Sequence, residues 1–120
     1  MSRALTERES AVLTAMIERG EPFDPDPRLD GAARRSWLQR VPATRAGARC
    51  GCGACPSIAL LAVDREGPYP SGRRVVLTAH VPGALLLLVL DDGQPVELEL
   101  APAGDMRFPE FPPVGEIRFG

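Results

Sequence analysis

Apolar residues recur at helical spacing over the first part of the chain. Thr6 and Glu9 have the spacing of a capping box, in which the hydroxyl and the carboxylate each accept a hydrogen bond from a backbone N–H of the first turn. Gly20 is a natural end for this segment, because glycine follows many helices. The pattern predicts a helix over about 6–19 whose apolar stripe consists of Val12, Leu13, Met16 and Ile17.

A second and shorter helical pattern follows a Pro-rich loop over residues 21–28. Asp30 can cap a helix over about 31–40, and Pro42 ends it because the residue before a proline disfavours helical backbone angles. The predicted helix has one apolar face, formed by Ala33, Trp37, Leu38 and Val41.

After residue 56 the pattern changes to short apolar runs separated by turn residues. Asp92-Gly93 is a strong signal for a two-residue hairpin, and Pro82-Gly83 is a turn pair. Residues 43–49 carry little pattern and fit a short edge strand that leads into the cysteines. The runs predict strands over about 57–64, 73–81, 84–91 and 95–100, followed by a Pro-rich segment over 101–120 that wraps the body.

The fold class predicted from these elements is α+β, with two N-terminal helices packed on a four-stranded antiparallel β-meander in a single domain, 1–120. A two-residue turn at 92–93 predicts one face shared by Leu85, Leu87 and Val89 with Val96, Leu98 and Leu100. The central strands are then apolar on both faces, which is unusual for an antiparallel sheet with one face in water. We expect the helices to cover one face, and the C-terminal segment, a second copy of the chain in a homodimer, or another protein partner to cover the other.

Composition and charge exclude several functional classes. The net charge is −2, so the chain lacks the basic footprint of a nucleic-acid-binding protein. The first residues are too charged for a signal peptide, and the longest apolar run, 84–90, is too short to span a membrane. These features predict a cytoplasmic protein with no membrane contact. A reducing compartment argues against a disulfide framework for the three cysteines.

The candidate chemistry is concentrated in six residues, where Cys50, Cys52 and Cys55 read C-x-C-x-x-C. Alternate residues of an extended chain point the same way, and a Gly-containing turn can fold a third thiolate toward the first two. Zinc usually takes four ligands. If the strands at 57–64 and 73–81 form a hairpin, His80, the only histidine, lies opposite Ser57. The sequence therefore raises the hypothesis of a zinc site formed by Cys50, Cys52, Cys55 and His80.

Two other interpretations of the same stretch stay open. The glycines and Pro56 suit a tight bend with no chemistry, in which cysteine acts as a small buried apolar residue and His80 is an ordinary strand histidine. Cys52-Gly53-Ala54-Cys55-Pro56 also has the C-x-x-C spacing of thioredoxin-like redox proteins, but there the motif begins a helix, and here an apolar strand follows.

A resemblance adds to this interpretation. The Cys-Gly-Ala-Cys-Pro-Ser stretch at 52–57, the run at 86–93 and the run at 96–100 resemble a group of small actinobacterial proteins with a C-G-x-C-P-S turn followed by a β-meander. The resemblance implies no activity, cofactor or catalytic residue. The leading expectation is a small non-enzymatic binding or interaction protein with no cofactor, the first alternative is a zinc-binding domain, and the second is a thiol-based redox protein.

Overall fold

The computed structural model of the protein describes residues 2–26, 29–63 and 74–119. These residues form two α-helices and one antiparallel sheet of six strands, which is an α+β arrangement. The helices are α1 (Glu7–Arg19) and α2 (Gly31–Leu38), and the strands are β1 (Glu21–Pro22), β2 (Thr44–Arg49), β3 (Ile58–Ala62), β4 (Arg74–Val81), β5 (Ala84–Asp91) and β6 (Gln94–Pro102). Neither of these helices is both long and apolar enough to cross a membrane.

The four-stranded meander predicted from the sequence is wrong. Over the described residues the sheet has six strands in the order β1-β4-β5-β6-β3-β2, in which β4, β5 and β6 form a three-stranded meander. β3 does not pair with β4, because it lies between β6 and β2, with Ile58 opposite Leu98 on one side and Leu60 opposite Ala46 on the other. A strand as apolar as β3 is better buried between two neighbours than at an edge. Residues 64 and 73, at the predicted strand ends, lie outside the described residues.

The turn after β5 forms as predicted, but the register beyond it does not. Asp92 and Gly93 have φ angles of 51° and 82°, and Asp91 pairs with Gln94 across the two-residue turn. A bulge then shifts the register, so Val89 lies opposite Glu97. Pro95, which has no N–H to donate, stands at this irregularity. The shift places the fully buried leucines of both strands on one face, namely Leu86, Leu88, Leu90, Leu98 and Leu100.

The two helices and the C-terminal segment pack on that face. Phe111 and Ile117 are buried within the same cluster as the apolar stripe of α1. Arg8 of α1 donates a hydrogen bond to the Phe111 carbonyl (2.9 Å), and the Arg19 guanidinium lies 4.4 Å from the centre of the Phe119 ring. The C-terminal segment thus completes the core beside α1.

The second face of the sheet is half-buried. Its central apolar side chains are partly exposed to solvent, and they come from β4 and β5: Val76, Leu85, Leu87 and Val89. The prediction that a second copy of the chain or another protein covers this face stays a prediction.

The start of α1 is held by the predicted capping box and by an ion pair with Arg3 that the sequence did not predict. The Thr6 hydroxyl accepts from the Glu9 N–H (3.1 Å), and the Glu9 carboxylate accepts from the Thr6 N–H (2.8 Å). The Arg3 guanidinium donates to both Glu9 oxygens, at 2.7 and 2.8 Å. This guanidinium, with help from the Thr6 N–H, holds the pKa of the Glu9 carboxyl below its usual value of 4.5.

The substitution Glu9→Gln should lower the free energy of unfolding at pH 7 by about 1 kcal/mol, because glutamine keeps a cap oxygen but loses the ion pair. A carboxyl whose pKa is lower in the folded than in the unfolded chain stabilises the fold above the unfolded value and loses that effect as pH falls through the folded value. The difference between the two proteins should therefore shrink between pH 5 and pH 3, measured by urea unfolding. Glu7→Gln, an exposed position in the same turn, is the control and should change little at either pH.

Candidate metal centre

The three cysteines lie on the loop that joins β2 to β3. The two strands pair up to Arg49 and Ile58, and the Cys50 N–H then donates to the Ser57 carbonyl (2.9 Å). This hydrogen bond closes the base of the loop, so the residues between Cys50 and Ser57 form a compact tip. The three thiols therefore lie close together because they are on one short closed loop, and no segment from elsewhere in the chain is required to bring them together.

The second half of the loop is fixed to the body of the protein. Ser57 is buried, and its hydroxyl accepts from the Leu100 N–H (2.9 Å) and donates to the Leu100 carbonyl (3.3 Å). The Ala54 carbonyl accepts a hydrogen bond from the Phe108 N–H (2.9 Å) in the C-terminal segment. These contacts hold the loop from two sides, while Cys50 and Cys52 are exposed and Cys55 is half-buried.

Gly53 allows the turn that brings the last two cysteines together. Its φ angle is +75°, a left-handed conformation in which a residue with a Cβ is strained. A Cβ at Gly51 or Gly53 would meet no other atom within 4 Å, so the tip has open space around it.

The sulfur atoms are close enough to share one ion. The three Sγ atoms all lie within 4.8 Å of one another, and those of Cys52 and Cys55 are 3.2 Å apart. In a tetrahedral zinc site with Zn–S bonds of about 2.3 Å, neighbouring sulfurs lie about 3.8 Å apart. The Cys52–Cys55 distance is shorter than this value by about 0.6 Å, and the 4.8 Å limit on the other two distances exceeds it by about 1 Å, so adjustments of about 1 Å or less would seat the ion.

The thiols differ in acidity. The pKa of Cys52 is lowered to about 7, first because the Ala54 N–H points at its sulfur (3.3 Å) and then because the neighbouring thiols donate to its thiolate. The pKa of Cys50 is raised: the backbone N–H of Cys52 lowers it, but the sulfur atoms of Cys52 and Cys55 together raise it by more. One thiol of the cluster is thus about half ionised at neutral pH, and the thiolate is the form that binds metals.

Alkylation of Cys52 by iodoacetamide should rise about fivefold between pH 6 and pH 7 but less than about twofold between pH 7 and pH 8, as expected for a thiol whose pKa is near 7. An ordinary cysteine with a pKa of about 8.5 would still gain about eightfold over the second interval. Peptide mass spectrometry of the reduced, metal-free protein measures each cysteine separately. Cys50 is the internal control and should react more slowly at pH 7; equal rates would contradict the predicted difference in acidity.

The structure brings three of the four sequence-predicted ligands together and not the fourth. His80 lies on β4, opposite Leu85 of β5 and paired with Arg118 on its other side. β5 and β6 separate β4 from β3, so about 14 Å, three spacings of about 4.8 Å, lies between the backbone of His80 and the strand that follows the cysteines. The grouping of metal-ligating side chains among the described residues contains Cys50, Cys52 and Cys55 without the histidine.

Sequence reasoning missed two contributors to the site, the Ala54 N–H and Phe108. The first is a backbone donor whose direction depends on the turn at Gly53, for which the glycine was the only signal. The second reaches the loop from 54 positions along the chain, and no local pattern marks that contact.

Comparison of the chain with family models, with curated proteins and with solved structures gives no match.

Proposed function

We propose that the protein is a metal-binding protein whose Cys50, Cys52 and Cys55 thiolates hold one thiophilic cation, with zinc as the first candidate. The observation that carries the proposal is the convergence of three thiol sulfurs within 4.8 Å on one loop. Thiolates are soft ligands that favour zinc, copper(I) and similar ions over magnesium or calcium.

The ligand set favours an ion that can be exchanged over one that is permanently enclosed. Structural zinc sites have four protein ligands, whereas three protein ligands leave a position for water or another ligand. The described residues bring three sulfurs to the loop, on an exposed tip with open space around Gly51 and Gly53. We therefore propose a fourth position that is filled from solvent or by a binding partner.

The ion is not needed to hold the fold together. The described residues form a continuous apolar core that lies on the helix side of the sheet, and every buried side-chain nitrogen or oxygen among them has a hydrogen-bond partner. Small domains that depend on zinc lack such a core and unfold without the metal. The protein should instead keep its fold when the ion is removed.

Metal analysis of the untagged, reduced protein tests the proposal. The expected result is about one zinc per chain after purification or reconstitution, with the three thiols protected from alkylation while the ion is bound. Addition of a strong chelator should restore alkylation and leave the far-ultraviolet circular dichroism spectrum unchanged. Absence of stoichiometric metal after reconstitution, together with thiols that alkylate at the same rate with and without zinc, would contradict the proposal.

Metal binding is a more specific role than the general binding or interaction role that the sequence suggested. It does not define which protein, if any, supplies the fourth ligand.

We propose separately that another copy of the chain covers the second face of the sheet. Gel filtration with light scattering tests it, because a chain that is monomeric at micromolar concentration leaves that face without a second copy.

A further inference from the structure

Two of the three sulfur atoms are closer to each other than metal binding requires. Cys52 Sγ and Cys55 Sγ are 3.2 Å apart, whereas sulfurs on a common zinc ion are about 3.8 Å apart. A disulfide bond is about 2.05 Å long, so the sulfurs would have to approach by a little over about 1 Å to form one. The distance between these two sulfurs thus lies between the value for a zinc site and the value for a disulfide bond.

The loop can make this movement without disturbing the strands. Its base is fixed by the hydrogen bond between Cys50 and Ser57, and within the tip the Ala54 carbonyl is held by the Phe108 N–H. The tip contains Gly51 and Gly53, around which there is open space. A change of about 1 Å can therefore be taken up by the tip residues.

The two thiols also differ in access, which suggests separate roles. Cys52 is exposed, so a small molecule can reach its sulfur, and the Ala54 N–H at 3.3 Å can stabilise a thiolate there. Cys55 is half-buried and lies next to Cys52 Sγ. This is the arrangement of an attacking and a resolving thiol.

We propose that the metal-free protein is a thiol–disulfide exchange protein, in which Cys52 and Cys55 are oxidised to a disulfide by a small-molecule disulfide. In the first step the Cys52 thiolate attacks one sulfur of the small disulfide, a mixed disulfide forms, and one thiolate leaves and takes a proton from solvent. In the second step Cys55 loses its proton, its thiolate attacks Cys52 Sγ, and the second small thiolate leaves and is protonated. The protein loses two electrons and two protons, and one small disulfide becomes two small thiols.

Oxidation and metal binding then exclude each other, a consequence that rests on the proposed function. A disulfide removes two of the three thiolates, and metal binding needs the thiolate form. An ion seated between the sulfurs in turn blocks the attack. Cys50 forms and breaks no bond in the two exchange steps, so Cys50→Ser separates the two activities.

Reduced, metal-free full-length protein incubated with glutathione disulfide, then alkylated and mapped by mass spectrometry, tests the inference. Wild-type protein and Cys50→Ser should both form the Cys52–Cys55 disulfide and release two glutathione molecules per chain. Cys55→Ser should stop at a mixed disulfide on Cys52, and Cys52→Ser should react at least about tenfold more slowly than wild type, since its exposed attacking thiol is gone. Zinc at one equivalent should slow the wild-type reaction at least about tenfold.

Other outcomes overturn the inference. A main disulfide that includes Cys50, or a wild-type protein that accumulates mixed disulfides without closing the bond, would show that Cys52 and Cys55 are not a redox pair. Mixed disulfides spread equally over the cysteines of Cys55→Ser would remove the attacking role of Cys52. A protein that binds zinc but forms no disulfide disproves only this inference, and one that forms the disulfide but binds no metal disproves only the proposed function.

Discussion

Replacement of any one of the three cysteines by serine is expected to weaken zinc binding by more than about 100-fold. Each substitution exchanges a thiolate for a neutral hydroxyl and leaves two sulfurs for an ion that prefers four ligands. Changes to groups that only support a ligand typically lower affinity by about 10- to 100-fold, so loss of a direct ligand should exceed that range. The effect should be of similar size at all three positions, because their sulfur atoms lie within one 4.8 Å cluster.

Competition with a chromogenic chelator at pH 7.5 measures these affinities. His80→Ala is the matched control, since it removes the one histidine of the chain from a strand that β5 and β6 separate from β3. Its zinc affinity should stay within about twofold of wild type, given the large distance across the sheet. A 100-fold loss in His80→Ala would restore the histidine as a ligand, and unchanged affinity in Cys50→Ser would leave a site of only two cysteines.

The cysteine cluster could be predicted because it is local. Cys50 and Cys55 are five positions apart, and the glycines between them allow a turn, so few backbone angles decide whether the sulfurs meet. The same holds for the turn at Asp92-Gly93, where both residues have positive φ angles and the strands on either side pair directly. Local chemistry was sufficient in both cases.

The position of His80 could not be predicted in this way, because it depends on which strands are neighbours. β3 is apolar on both faces, and such a strand carries no mark that distinguishes β4 from β6 as its partner. The predicted meander paired β3 with the next strand along the chain, whereas the structure places β3 between β6 and β2. Because this one strand pairing was wrong, His80 lies three strand spacings from β3 and not beside the cysteines.

The register between β5 and β6 was also predicted wrongly, because the sequence pattern does not show the bulge. The alternation of Val96, Leu98 and Leu100 is regular, and regular alternation predicts a straight strand. The irregularity at Pro95 inserts one unpaired residue, which moves every following side chain relative to β5. A proline near a strand start is a visible signal for such a bulge, although its effect on register depends on how the next residues are buried.

Phe111→Ala is expected to cause the largest loss of stability among single substitutions outside the sheet, about 3–5 kcal/mol. The Phe111 side chain is only 1% exposed and belongs to the core cluster that α1 and the sheet share. Its removal deletes a large apolar group and leaves a cavity, because the surrounding core relaxes only partly into the space. Domains of this size are stable by about 5–15 kcal/mol, so the loss is a large part of the total. At about 4 °C per kcal/mol, the melting temperature should fall by about 10–20 °C.

Phe23→Ala provides the matched control, because the same change is made at a side chain that is 71% exposed. It should alter the free energy of unfolding by less than about 0.5 kcal/mol. Urea unfolding followed by circular dichroism compares the two variants with wild type. Because the C-terminal segment also holds the cysteine loop through Phe108 and Ala54, the large loss at position 111 would show that the segment carrying this contact is part of the core. Equal stabilities of the two variants would instead mean that the segment is only loosely attached, and the loop would then lose one of its two fixed sides.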